Sequence, residues 1–244
     1  MISLITMSQG NPIALKRTFD SFKNVVSEII FGDLTIFEED AKLIESYKSS
    51  FNLKIVKFPF DFIFKNGFSV ILNSLADYTT NDLVIYMNCS EVIEGQHSIL
   101  DKISDEYNCY YFDHATDLHR WYRFYNRKEL KWSGIIHEEV IGNHRPYPIP
   151  IFRMADTEKD SETPFKEKVY NDIKELCYFN QYVKLAEDPK HKAFTNAGWI
   201  NFSIDGYESF KYRMNKKGKR YEAFLKGDLQ MYLDEIKKNT DFSL

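Results

Sequence analysis

The amino-terminal stretch ISLITMSQGNPIALKRTFDSFKNVVSEIIFGD, residues 2–33, predicts a strand, a helix and a second strand. Its first five residues are mostly apolar, as expected for a buried strand. Asn11 and Pro12 are typical of a helix start, because a capping residue precedes a first-turn proline. The run SEIIFGD indicates a second strand that ends at Asp33. The predicted helix has an apolar side made of Ile13, Leu15, Phe19, Phe22 and Val26.

The same alternation continues to residue 95. It predicts a helix over about residues 38–50, a strand over LKIVKF, a helix over NGFSVILNSLADY and a fourth strand over DLVIYM. Strands that alternate with helices are typical of a doubly wound, mainly parallel α/β sheet. Such sheets bind ligands beyond the carboxyl ends of their strands. We therefore expect residues 6–8, Asp33 and residues 88–91 to share one rim.

The pattern changes after residue 95. Shorter, partly alternating strands are predicted over NCYYFDH, HRWYRFYN and SGIIHEEVIG. Pro164 begins a long predicted helix, the segment KHKAFTNAGWINFSIDG is expected to be irregular, and the tail is expected to form two helices broken near Gly218.

Composition limits the class of protein. The net charge of −4 gives no overall attraction to nucleic acid or membrane. Three separate cysteines without a C-x-x-C pair favour neither a zinc site nor a disulfide framework, and so indicate a reducing compartment. The sequence has no secretory leader pattern and no run near the ~18 apolar residues of a spanning helix. We expect a soluble, cytoplasmic protein with no transmembrane segment.

Three segments of the chain resemble family 2 glycosyltransferases and their relatives of the GT-A fold. Residues 2–33 resemble the opening of that fold, and NDLVIYMNCSEVIEG, residues 81–95, resembles its metal-binding strand. NRKELKWSGIIHEEV, residues 126–140, is similar to a lipopolysaccharide-type block that ends in G-x-x-H-E. A weaker likeness joins residues 197–224 to N-acetylglucosaminyltransferases of the bisecting type, through Gly198, Trp199 and Ser203.

The resemblance implies a single GT-A domain, with helices on both faces of a doubly wound, mainly parallel sheet and a C-terminal helical segment. Residues 1–95 would form the nucleotide-sugar-binding half, and residues 96–244 the acceptor-binding and helical half. The implied activity is transfer of a sugar, with inversion, from a nucleotide-sugar to an acceptor hydroxyl. A UDP-sugar is the favoured donor. The acceptor is a saccharide or a modified DNA base.

The predicted rim, the candidate cations and the resemblance together give a set of expected donor-binding residues. Asp33 matches the family's strand-ending aspartate, which contacts the base or ribose of the nucleotide. The expected donor contacts are Thr6, Ser8, Asp33, Asn66, Asn88, Ser90, Arg127, Trp199 and Lys217.

The metal strand departs from the family. Asn88 and Ser90 occupy the places of the two D-x-D aspartates, so neutral oxygens replace carboxylates. Glu91 is then the single anion, and His137 is a further metal contact. Because divalent ions bind best to charged oxygen ligands, we expect Mn²⁺ or Mg²⁺ to bind weakly.

Catalysis then depends on other groups. Cations such as Lys65, Arg123 and the KKGKR run at 216–220 can offset the charge of a leaving diphosphate, although that run also suits a solvated helix end. Glu138 is the expected general base, with Glu139 second and His137 a further alternative.

The missing D-x-D carboxylates also support a different hypothesis. A non-catalytic GT-A relative would bind a nucleotide, a sugar or a protein without turnover. The G-x-x-H-E block, with His137 and Glu138, favours the enzyme.

Overall fold

The computed structural model describes residues 1–7, 12–34, 36, 38–88, 91–94, 102–114, 120–134, 139–148, 152–156, 164–188, 193–195, 198–200 and 203–239. The chain divides into two compact units. The sheet unit comprises Met1–Lys57, Leu72–Trp132 and Glu139–Asp160, and the helical unit comprises Phe58–Ile71, Ser133–Glu138 and Ser161–Leu244. The boundaries of these units do not coincide with residue 95, where the two halves of the domain were expected to meet.

The strands are β1 (Ile2–Met7), β2 (Glu28–Asp33), β3 (Leu53–Lys57), β4 (Leu83–Tyr86), β5 (Glu91–Glu94), β6 (Cys109–His114), β7 (Arg120–Asn126), β8 (Lys131–Ser133), β9 (Glu139–Ile141), β10 (Phe152–Asp156), β11 (Ala193–Thr195) and β12 (Gly198–Ile200). The helices are α1 (Pro12–Phe22), α2 (Glu38–Tyr47), α3 (Phe62–Asn66), α4 (Phe68–Asp77), α5 (Pro164–Glu187), α6 (Ile204–Lys217), α7 (Lys219–Lys226) and α8 (Leu229–Asn239).

The main sheet has eight strands in the order β3-β2-β1-β4-β7-β6-β10-β5. Strands β1 to β4 are parallel to one another. Strand β7 runs antiparallel to β4 and β6, and β5 runs antiparallel to β10. Six of the eight strands therefore point the same way, which confirms the predicted α/β class with a mainly parallel sheet and a C-terminal helical segment.

The core of the sheet unit lies where α1 packs against β1 and β2. All six residues of β1 are buried, and Leu15, Phe19 and Phe22 of α1 are fully buried in the same cluster. Ile13 was expected on that side of α1, but it is 57% exposed. Leu15, Phe19 and Phe22 follow helical spacing, whereas Ile13 lies two residues before Leu15 and so faces away.

A buried polar cluster holds the amino ends of β1, β2 and β4 together. The Glu28 carboxylate, in a residue 5% exposed, accepts hydrogen bonds from the Ser3 hydroxyl, from the Thr80 backbone and from the Thr80 hydroxyl. The Asn81 amide donates to the same oxygen at 3.3 Å. Burial alone would raise the pKa of Glu28, but these hydrogen bonds bring the pKa below its ordinary value of 4.5.

Glu28→Ala is expected to lower the free energy of unfolding by about 2–3 kcal/mol at neutral pH, because it leaves buried donors unpaired. Glu28→Gln keeps an acceptor oxygen and should lose less. A lowered folded-state pKa stabilises the protein above the ordinary value of 4.5, and that stabilisation disappears as the pH falls through the folded-state pKa. Urea unfolding at pH 7 and pH 3 measures this, and a gap between wild type and Glu28→Gln that does not narrow from pH 7 to pH 3 would contradict it.

The structure of the helical unit differs from the prediction made from the sequence in two ways. The tail was expected to contain two helices, but it contains three, because a second break occurs at Gly227, where φ is 66° and the left-handed conformation ends α7. The segment expected to be irregular contains the antiparallel pair β11 and β12. Ser203 caps α6 by accepting a hydrogen bond from the Gly206 backbone at 3.2 Å.

A buried ionic cluster ties the helices of this unit together. Asp172 of α5 is 1% exposed and pairs with Lys217 of α6 and with Arg220 of α7, whose Nε lies 3.2 Å away. The Tyr232 hydroxyl of α8 donates to the same carboxylate at 3.1 Å. Lys217 also pairs with Glu175 at 2.6 Å. One acidic residue thus connects four helices.

The described cysteines are inert. Cys109 and Cys177 are free and buried. Burial raises the pKa of Cys109 to about 11 and the pKa of Cys177 to about 12. Neither forms a thiolate at neutral pH, so neither is a candidate nucleophile. None of the helices in the described ranges is both long enough and apolar enough to cross a bilayer.

Candidate functional site

The strand order reverses between β1 and β4. The chain passes from β1 to β2 and β3 on one side of β1, and then returns to place β4 on the other side. In open α/β sheets a ligand crevice forms at such a reversal, outside the carboxyl ends of the strands. The candidate site is therefore the rim where β1 ends at Met7, β2 at Asp33 and β4 at Tyr86.

Two of the predicted donor residues lie at the ends of β2 and β1 on this rim. Asp33 is the last residue of β2, is 5% exposed and is in register with Lys57 at the end of β3. Thr6 is the penultimate residue of β1 and is fully buried. Its hydroxyl has no hydrogen-bond partner among the described residues. Buried hydroxyls are normally satisfied by protein, water or ligand, so Thr6 can accept or donate one more bond.

A buried ion pair lies at the start of β5, close to the end of β4. Both oxygens of the Glu91 carboxylate are engaged: the Asn88 side-chain amide donates to Oε1 at 2.9 Å, and the Asn88 backbone donates to Oε2 at 2.7 Å. The Arg123 guanidinium of β7 also binds Oε2, and the two side chains are only 6% and 9% exposed. The position of the Glu91 carboxylate is thus fixed by Arg123 of β7 and by Asn88.

Two further residues, which the sequence did not single out, support this pair. The Tyr86 hydroxyl donates to the Asn88 side-chain oxygen at 2.6 Å, and the Arg123 guanidinium lies 5.4 Å from the centre of the Tyr86 ring. The Thr18 hydroxyl of α1 donates to the Glu91 backbone oxygen at 2.8 Å. No sequence signal marks the Thr18 contact, because Thr18 and Glu91 are 73 residues apart.

This arrangement does not fit a divalent metal ion. The oxygens of Glu91 already accept three hydrogen bonds, and Asn88 Oδ1 accepts one from Tyr86. A divalent ion here would also lie beside a guanidinium, which would repel it. Across the described ranges, no three His, Cys, Asp or Glu side chains form a group that could hold a metal.

A further predicted donor residue of the sheet unit lies at the other end of its strands. Arg127 is not at this rim: its Nε donates to the Asn81 backbone oxygen at 3.0 Å, beside the amino end of β4 and at the opposite edge of the sheet. The cause is the antiparallel course of β7, which carries Arg123 to one edge and Arg127 to the other.

Three more belong to the helical unit. The Asn66 side chain donates to the Phe62 backbone oxygen within α3 at 2.9 Å. Lys217 forms buried ion pairs with Asp172 and Glu175. It is therefore neither a solvated residue at a helix end nor an unpaired cation available to a diphosphate. Trp199 is the middle residue of β12. Ser8, Ser90, His137 and Glu138 lie outside the described residues.

Comparisons with known proteins give only distant likenesses. No family model matches the chain, and no curated protein does. The crystal structure of S. aureus TarS 1-349 is 9% identical, with a TM-score of 0.46, covering 98% of this chain and 90% of that one. The same TarS fragment in complex with UDP-GlcNAc is 8% identical, with a TM-score of 0.47, covering 98% and 91%.

A putative glucose-1-phosphate thymidylyltransferase from Bacillus anthracis, in complex with a sucrose, is 10% identical, with a TM-score of 0.39, covering 87% of this chain and 84% of that one. Because all of these TM-scores are below 0.5, the likenesses carry no conclusion about chemistry.

Proposed function

We propose that the protein is a glycosyltransferase of the GT-A type, which moves a sugar from a nucleotide-sugar to an acceptor hydroxyl with inversion. The observation that supports this most is the buried carboxylate of Asp33 at the carboxyl end of β2, next to the reversal of strand order between β1 and β4. Ligand crevices form at such reversals, and Asp33 is the position that the family resemblance assigns to the base or ribose of the donor.

The chemistry divides into three tasks. A carboxylate such as Asp33 accepts hydrogen bonds from ribose hydroxyls or a base N–H, and the Thr6 hydroxyl adds a neutral partner. The leaving diphosphate needs a positive charge near it as the sugar bond breaks. The acceptor hydroxyl must lose its proton to a base, the role that we propose for Glu138, with His137 as a diphosphate contact. UDP-sugars are the first donors to test.

Asp33→Asn is expected to weaken nucleotide-sugar binding by roughly tenfold or more, since it removes the charge from hydrogen bonds worth about 1.5–3 kcal/mol. Asparagine keeps the shape of the side chain, so the protein should still fold. The measurement is a thermal-shift screen of UDP-, GDP-, CDP-, ADP- and dTDP-sugars, followed by calorimetry of the best donor on wild type and variant.

Asp20→Asn is the matched control. Asp20 pairs with Lys16 on the surface of α1, with about half of each side chain exposed, so its loss should change neither folding nor binding. If the Asp33 variant binds the donor as tightly as the control, Asp33 is not in the donor site.

A second candidate function is a non-catalytic module that binds a nucleotide or a sugar. The observation that favours it is the Glu91–Arg123 pair, which occupies the carboxylate at the strand end where the family places its metal. Binding without release of nucleoside diphosphate, over a panel of saccharide acceptors and modified DNA, would support the module. Sustained release would support the enzyme.

A further inference from the structure

A cation from β7, the guanidinium of Arg123, lies beside Tyr86 at the end of β4. In the D-x-D strands that this segment resembles, carboxylates hold a divalent ion, and that ion faces the donor diphosphate. Here one carboxylate, Glu91, holds the guanidinium of Arg123. Both arrangements place a positive group, backed by negative oxygens, at the end of the same strand.

The guanidinium is held from several sides. Glu91 binds it, Asn88 fixes Glu91 through two hydrogen bonds, and Tyr86 lies under the guanidinium with its hydroxyl on Asn88. The side chain of Arg123 is 9% exposed, so its charge is less screened by water than that of a surface arginine. A fixed, weakly hydrated cation suits a developing charge because it need not reorganise during the reaction.

We propose that Arg123 takes the place of the metal ion and contacts the donor diphosphate, so that donor binding needs no divalent cation. This rests on the proposed function. Guanidinium groups bind phosphate oxygens through paired N–H donors, and they are always charged. Asn88 is then a positioning residue, because it acts on Arg123 through Glu91 and replaces a metal ligand with a hydrogen-bond donor.

The test is calorimetry of UDP, GDP, CDP, ADP and dTDP on the full chain, in EDTA and in millimolar Mn²⁺. Wild type should bind one of these nucleotides equally well under both conditions. Mn²⁺ alone should not bind, so its electron paramagnetic resonance signal should be the same with and without protein. Arg123→Gln should weaken nucleotide binding in EDTA by roughly 10- to 100-fold, as the loss of a charge-assisted hydrogen bond implies.

Two further variants separate binding from folding. Arg123→Lys keeps the charge and the Glu91 pair, but loses the planar fork, so binding should weaken by less than in Arg123→Gln. Arg145→Gln is the matched control, because Arg145 pairs with Glu129 on the surface, at 46% and 42% exposure, and should bind nucleotide like wild type. Each dissociation constant is measured well below the unfolding midpoint of that variant.

The outcomes distinguish the two proposals. If no nucleotide binds wild type under either condition, the proposed function fails. If a nucleotide binds only with Mn²⁺, the glycosyltransferase stands and the metal-free site is wrong. If binding is metal-free but Arg123→Gln matches the control, the Glu91–Arg123 pair is purely structural and the assignment of Arg123 is overturned.

Discussion

Replacing Glu138 with glutamine is expected to lower the turnover number by roughly a hundredfold or more, as loss of a general base typically does. Glutamine keeps the size of the side chain and removes its basicity, so donor binding should stay nearly unchanged. The measurement is the rate of nucleoside diphosphate release under saturating donor and acceptor, beside the dissociation constant of the donor. This is the largest kinetic effect that we expect from one substitution.

Glu139→Gln is the control for that experiment. Glu139, the first residue of β9, is exposed, and the substitution changes it in the same way as Glu138. Gly134, which begins the G-x-x-H-E block, has a φ of 110°, a conformation that favours glycine. A mild Glu139 variant beside a severe Glu138 variant is the expected pattern. The reverse would mean that Glu139 is the base, and two mild variants would remove both from that role.

Replacing Asp172 with alanine is expected to lower the free energy of unfolding by about 3–5 kcal/mol, because a buried pair broken at one side leaves an uncompensated charge. Lys217 has a side chain 8% exposed and would keep only Glu175, while Arg220 and Tyr232 would lose this carboxylate. Burial raises the pKa of Tyr232 and Asp172 raises it further, so the tyrosine stays protonated and remains a donor.

Urea unfolding of Asp172→Ala tests this, with Asp234→Ala as the control. Asp234 lies on the exposed side of α8, where it accepts a hydrogen bond from Gln230 at 2.9 Å, and its loss should cost less than about 0.5 kcal/mol. A loss below about 1 kcal/mol for Asp172→Ala would show that the ionic cluster is not the tie between these helices.

The parallel half of the sheet could be predicted because its signals are local. The helix start predicted at Pro12 is where α1 begins, and the buried run predicted to end at Asp33 is β2. Each of these elements depends on periodicity or capping within about ten residues. The fold class follows from their order alone.

The tail was predicted less well, although one signal was present. Gly227 and Asp228 combine a left-handed helix end with a capping residue, because Asp228 accepts a hydrogen bond from the Met231 backbone at 2.9 Å. Strands β11 and β12 were missed because Asn196 and Ala197, the two residues between them, are less typical of a hairpin than Asn-Gly.

At the candidate site, the strand-end residues could be predicted from the sequence, but the ion-pair partners could not. Asp33 and Asn88 follow from strand order, since the ends of parallel strands share an edge. The partners of charged residues do not: Arg123 is 32 residues from Glu91, and Lys217 is 45 residues from Asp172. The sequence shows which residues of β7 alternate between the two faces of the sheet. It does not show at which end of the strands Arg123 and Arg127 lie, because that depends on the antiparallel pairing of β7 with β4.

The proposed function requires that the rim at the ends of β1, β2 and β4 binds a nucleotide-sugar. Hydrogen–deuterium exchange, with and without a saturating nucleotide-sugar from the screen, tests it most directly because it locates the ligand. We expect slower exchange in peptides covering residues 32–36 and 86–92, and unchanged exchange at residues 79–83, at the amino edge of the sheet. Protection at the amino edge, or no protection at the rim by a donor that binds, would contradict it.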